Sequence, residues 1–173
     1  MSRILVSQEI QGALDEDALQ HHREKKYRPT GVGMIERIEN GQRQLLLVQS
    51  KKNLGWGFPK GGTGKREGVV KGTLRELREE LGLRKLFVLA HYLTESVDKP
   101  PLKSHFTLGK RLYFFHLQMK VPEVIVLQLD EILKIEWVTY SDVPEFLVSN
   151  NPDESRREKV ACMLRAYAKL PTA

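Results

Sequence analysis

The sequence has a single cysteine among its 173 residues, Cys162, so it cannot close an internal disulfide. That excludes the small secreted folds held together by cysteine pairs, and a buried structural thiol on a helix is the expectation for Cys162 itself. No apolar run approaches the length needed to cross a bilayer. The opening MSRILVSQEIQ has an apolar stretch too short for a signal-peptide core. Repeats, low-complexity tracts and linkers are missing as well, and no helix-turn-helix segment of the DNA-reading kind is evident. The expectation is a soluble chain in the cytoplasm without membrane contact. With 40% hydrophobic residues, a chain of this length can bury a core without a disulfide or a structural metal.

Charge says less by its sum than by its distribution. Lys and Arg number 28 against 22 Asp and Glu, a net charge of +6. Such a balance suits nucleic acid and phosphate-rich small molecules alike. Lys51, Lys52, Lys60, Lys65, Arg66 and Lys71, however, gather around one glycine-rich stretch. The first thirty residues carry the dense mixed charge of DEDALQHHREKKYRP. They read as a peripheral arm or short helix without chemistry, and His21 and His22 as solvated side chains. Residues 31–173 read as the working domain.

Within that domain GVGMIERI and RQLLLVQS have the character of strands, and Asn40-Gly41 between them suits a tight hairpin. From Glu67 to Leu81 the apolar residues Val70, Leu74, Leu77 and Leu81 recur at helical spacing, and Gly82 stands where a helix ends. LFVLAHYL, RLYFFHLQM and KIEWVTY read as further strands, and SDVPEFL as a short helix. A last helix is expected from Asn151 as N-cap, with Pro152 at its first position and Glu154 three residues on. The order implies a mixed α/β domain, dominated by antiparallel pairs flanked by helices.

One helix raises a chemical question. Glu76, Glu79 and Glu80 fall within five residues and share a helix face, apart from the apolar stripe. Like charges at that spacing repel by roughly 0.2–0.5 kcal/mol per pair. Arg75 and Arg78 offset part of this, so the cluster alone is compatible with a solvated face. Its setting argues otherwise. A glycine-rich loop enters the helix, able to bring backbone groups close to a ligand, and lysines rim it. Hard divalent cations such as Mg²⁺ take oxygen ligands, usually a few carboxylates together with substrate phosphates. The arrangement suits metal-assisted displacement at phosphorus.

GGTGKREGVVKGTLRELREELGL resembles the Nudix box, G-x5-E-x7-R-E-U-x-E-E-x-G-U with U aliphatic. Gly61, Glu67, Arg75-Glu76-Leu77, Glu79-Glu80 and Gly82-Leu83 occupy all of its defined positions. The resemblance implies an αβα sandwich around a mixed, largely antiparallel sheet. It implies hydrolysis of a diphosphate linkage in a nucleoside diphosphate joined to a further group. Mg²⁺, or Mn²⁺ in its place, is expected on Glu76, Glu79 and Glu80 with a carbonyl near Gly61. Glu76 is ligand or base, Arg75 orients the glutamates, and Glu67 supports the loop. The base is sometimes a later glutamate, for which Glu95, Glu123, Glu131 and Glu136 are candidates. Glu131 comes first because its spacing to Trp137 is similar to that in bacterial RNA pyrophosphohydrolases.

The substrate is less legible. WGFPKGG is similar to segments of Nudix enzymes that act on dinucleoside polyphosphates and on RNA 5′ ends. Lys60, Lys52 and Gly62 are the candidates for phosphate contact. Trp56 reads as a packing residue, with base stacking as the alternative, and only one of Trp56 and Phe58 is expected to face a cleft. The tyrosine that dinucleoside polyphosphate hydrolases carry beyond the box is missing, with Lys99-Pro100-Pro101 in that region. The basic KPPLKSHFTLGKR segment suits extra phosphates or a solvated connector. A nucleotide or dinucleoside polyphosphate substrate leads. The alternatives are an RNA 5′ end, an inositol pyrophosphate or polyphosphate, and a non-catalytic ligand-sensing module.

Overall fold

The structure is a computed structural model and describes residues 1–98, 106 and 108–172. The segment around Lys99, Pro100, Pro101 and His105 lies outside the described residues. In chain order the elements are β1 (Arg3–Ile4), α1 (Gln8–Glu24), β2 (Tyr27–Glu39), β3 (Gln42–Ser50), β4 (Trp56–Gly57), β5 (Lys60–Gly62), α2 (Val69–Leu81), β6 (Phe87–Asp98), β7 (Gly109–Gln118), β8 (Ile132–Thr139), α3 (Val143–Ser149) and α4 (Arg157–Tyr167). Among the described residues no helix is long and apolar enough to cross a membrane.

The central strands are apolar on both faces, and their two-residue period sorts the core into two layers. Val32 and Met34 of β2, Leu45 and Leu47 of β3, and Leu112 and Phe114 of β7 pack with α3 and α4. Their neighbours Ile35, Leu46, Val48, Tyr113, Phe115 and Leu117 pack on the other face with α1 and α2. The result is the expected αβα sandwich. The sheet runs β1-β6-β7-β2-β3-β4, with β5 also on β2 and β8 on β3. β1–β6 and β2–β7 are parallel, and the remaining pairings are antiparallel. The β2–β3 hairpin turns at Asn40 (φ 51°) and Gly41 (φ 76°), both left-handed as a two-residue turn of this hand demands.

Two expectations fail for physical reasons. The first thirty residues are not a peripheral arm: α1 is a 17-residue helix capped by Ser7, and it buries Leu14 and Ala18 in the layer beneath α2. Asp17 ties it to the sheet, accepting from Arg111 Nε and Nη2 at 3.1 Å each and from the Tyr113 hydroxyl at 2.6 Å. His21 and His22 are half-buried, edge-on to the rings of Tyr27 and Phe106. Asn151, in turn, caps no helix. It is buried and bonds the backbone of β4, accepting from Trp56 N–H at 2.9 Å and donating to the Trp56 carbonyl at 3.0 Å. A carboxamide carries its acceptor and its donors on separate atoms, so it can meet the N–H and the carbonyl of one strand residue at once. Asp153 caps a 3₁₀ turn at Glu154–Arg156 instead, and α4 begins only at Arg157.

Candidate functional site

Helix α2 lies directly against β2 and β5 because glycines face it. A Cβ on Gly31 would stand 1.7 Å from Thr73 Oγ1, so only hydrogen fits at that contact. On β5 the same absence makes a cradle: a Cβ on Gly61 would lie 2.2 Å from Glu76 Cγ and 2.4 Å from Glu76 Oε2. The helix starts at Val69, two residues after Glu67, and ends at Gly82 in the left-handed conformation. Leu77 and Leu81 are fully buried against the sheet, which turns the charged face of the same helix outward.

Arg75 organises that face. Its Nε and Nη2 donate to the two oxygens of Glu67, at 3.1 and 2.7 Å. Nη1 donates to Glu76 Oε1 and to Glu79 Oε2, both at 3.0 Å. Nη2 also donates to the Gly62 carbonyl at 3.1 Å. Glu67 in turn accepts from Gly64 N–H at 2.7 Å, closing the loop on itself. The Arg75 guanidinium holds the Glu67 carboxyl below its usual range, with the Gly64 N–H adding to the effect against partial burial. Loop, helix start and two of the three clustered glutamates are therefore tied into one hydrogen-bonded unit.

Glu80 is paired with no guanidinium. Burial pushes its carboxyl up to about 7, and Glu76, Glu131 and Glu79 push the same way, with Lys60 opposing them. Glu131 reaches this cluster because its segment lies along the end of α2. Val126 N–H donates to the Leu81 carbonyl at 3.0 Å and Gln128 N–H to the Glu80 carbonyl at 2.9 Å. Lys51 N–H donates to the Glu131 carbonyl at 3.0 Å, which sets the exposed Lys51–Lys52 turn beside the same segment.

The other late glutamates are employed elsewhere. Glu123 accepts from the backbone N–H groups of Arg84 and Lys85, at 2.8 and 3.0 Å. Glu95 is clasped by Arg165 at 2.8 to 3.2 Å. Glu136 is exposed on β8 opposite Leu47.

Gly61, Gly62, Arg75, Glu76, Glu79, Glu80, Glu131 and Lys60 are thus brought together, and Lys52 stands at the margin. Trp56 is not part of this group. Its ring meets Phe146 edge-on at 5.2 Å, packed against the α3–α4 layer. Phe58 is buried in that same layer, so the expectation that one of the pair faces a cleft is wrong. Gly31 and Thr73 escaped the sequence reading, although Gly31 and Gly33 alternating beneath an apolar helix are a usable signal.

Among the described residues no group of three or more acidic, histidine or cysteine side chains stands close enough together, as the side chains are placed, to hold a metal ion. The donor set still fits a hard divalent cation. Glu76 and Glu79 each give one oxygen to Arg75 and keep the other, and the free Oε2 of Glu76 lies in the space that Gly61 leaves open. Carboxylates gathered with their own sign, as around Glu80, are what a cation would relieve.

Comparison with known proteins agrees. A family model described as NUDIX domain matches residues 27–160. The m7GpppN-mRNA hydrolase of Saccharomyces cerevisiae is 28% identical over 141 residues, 80% of this chain and 13% of that protein. An RNA pyrophosphohydrolase of Haemophilus influenzae is 33% identical over 105 residues, 56% of this chain and 52% of that protein. The matches therefore cover about half, or far less, of these relatives' own length. In fold the chain is similar to a C. elegans Ap4A hydrolase, with TM-score 0.60 at 17% identity, covering 82% of this chain and 97% of that one. It is likewise similar to the Nudix hydrolase RenU of M. smegmatis, with TM-score 0.62 at 15% identity, over 86% and 90% of the two chains. Box, cradle, sandwich and family model agree, and the chain belongs to the Nudix family.

Proposed function

We propose that the chain is a Mg²⁺-dependent hydrolase that cleaves a diphosphate linkage in a nucleoside diphosphate joined to a second group. The observation that carries this reading is the set of Glu76, Glu79, Glu80 and Glu131, three of them on one helix face, beside a loop that leaves room at Gly61. Glu76, Glu79 and Glu80, with the Gly61 carbonyl, would hold the cation. A bound Mg²⁺ neutralises charge developing on the phosphates and makes water a better nucleophile. Arg75 keeps the carboxylates aimed by pairing one oxygen each of Glu76 and Glu79. Glu131, exposed next to Glu80, takes the proton from the attacking water. Lys60, with Lys52 at the margin, meets the substrate phosphates.

A nucleotide or dinucleoside polyphosphate satisfies this description. An RNA 5′ end is the second reading, favoured by the names of the two sequence relatives and by the approach of Glu131 to Glu80. A hydrolysis panel with Mg²⁺ or Mn²⁺ separates them, using dinucleoside polyphosphates, nucleotide sugars, inositol pyrophosphates and 5′-triphosphorylated RNA. Pyrophosphate release from RNA with slow turnover of dinucleotides selects the second reading. No hydrolysis of any of them, with metal bound, overturns both.

A further inference from the structure

Helix α2 begins without a cap of its own. Its N-cap residue is Gly68, which has no side chain to accept a bond, and the first turn carries no acidic residue. The leading N–H groups of a helix need acceptors, and a negative charge there also complements the helix dipole. Asp15 provides both from another helix. Its Oδ1 accepts from Val69 N–H at 2.8 Å, across 54 residues of sequence. The glycine eases this approach, since a Cβ on residue 68 would lie 3.3 Å from Asp15 Oδ2, a tight contact.

The donor helix is itself fixed. Two residues beyond Asp15, Asp17 grips Arg111 and Tyr113 on β7. On the receiving side the helix start is wired to the glutamates: Glu67, just before the N-cap, is bonded to Arg75, and Arg75 to Glu76 and Glu79. A shift at Val69 is therefore passed to the carboxylates rather than absorbed in a loose loop. Resting on the hydrolase reading above, we propose that Asp15 is a positioning residue of the active site. It is an N-cap delivered from α1 that sets the start of α2 and, through Glu67 and Arg75, the aim of Glu76 and Glu79.

The test compares Asp15→Ala, Asp15→Asn and the double variant Asp15→Ala with Gly68→Ser, which gives the helix start a cap of its own on the Val70 or Lys71 N–H. Turnover, Mn²⁺ affinity by calorimetry and exchange of the Val69 amide proton are read on each. Asp15→Ala should lower kcat about tenfold with KM little changed, because misaimed groups cost rate more than binding. It should also weaken Mn²⁺ binding and speed Val69 exchange. Asp15→Asn, which still accepts the bond, should stay near the parent, and the double variant should recover kcat. Asp15→Ser, too short to reach Val69, replaces the alanine variant if that one does not fold. A lowered melting temperature with kcat and Mn²⁺ affinity unchanged overturns the proposal. So does a double variant that regains the parent's melting temperature without regaining kcat. If the parent hydrolyses nothing, the hydrolase reading fails, while metal affinity and Val69 exchange still judge this one.

Discussion

Two glutamates are withdrawn from water in this protein, and they end in opposite states. Glu36 on β2 is buried, which alone would push its carboxyl up. His116 Nε2 donates to it at 2.7 Å and the Arg43 guanidinium binds its other oxygen, and together they hold it below its ordinary range. Arg43 in turn lies 3.9 Å over the Tyr140 ring. Glu80 on α2 is half-buried among Glu76, Glu79 and Glu131, and it is pushed up instead. The first has its countercharges built in, which is how a fold tolerates a buried acid. The second is surrounded by more of its own sign, a costly arrangement that makes sense where a cation arrives with the substrate.

The sharpest way to break this comparison is to neutralise each acid. Glu80→Gln should reduce turnover by about 10²-fold or more while circular dichroism stays unchanged. Its stability without metal should hold or rise. Glu36→Ala should cost about 3–5 kcal/mol in urea unfolding, because it strands Arg43 and His116. Equal destabilisation by the two would erase the distinction.

A finer test uses pH on metal-free protein. Glu36 has a folded pKa below its ordinary 4.5, so its stabilisation is present above that pH and is lost as pH falls through the folded value. Glu80 runs the other way. Raised from 4.5 to about 7, it favours the folded state below 4.5, and that contribution is lost as pH rises through about 7. Urea midpoints should therefore decline on both sides. Glu36→Ala should have a shallower acid limb, since Glu67 and Asp17 are also held below their ordinary values, and Glu80→Gln should lose less between about pH 5 and 7.

The smallest expected effect separates the late glutamates. Glu123→Gln should leave kcat unchanged and cost about 1 kcal/mol, since it weakens only its bonds to two backbone N–H groups.

What could be read from the sequence follows the range of each interaction. Helix α2 was legible because Val70, Leu74, Leu77 and Leu81 repeat at its own period, and the β2–β3 hairpin because Asn40-Gly41 is a local signal. The carboxylate cluster was legible by spacing and family resemblance together. The role of α1 was not. Its mixed charge hides the buried Leu14 and Ala18, and the contacts of Asp15 and Asp17 span 54 and 94 residues without any periodic trace. Asn151 misled for a related reason, since its helix-start chemistry serves equally to bond a distant strand.

Arg75 has five N–H groups, and they are engaged with Glu67, Glu76, Glu79 and the Gly62 carbonyl. A guanidinium in that condition is a fastener and not a receptor: an arriving phosphate finds no donor left on it. Lysine, with three donors on one nitrogen, could not span the same four partners. On the proposed function, recognition of the substrate would fall instead to exposed residues such as Lys52. If the proposed roles hold, the part that cleaves and the part that chooses are separate, and preference for one anhydride over another could be rewritten without loosening the bolt.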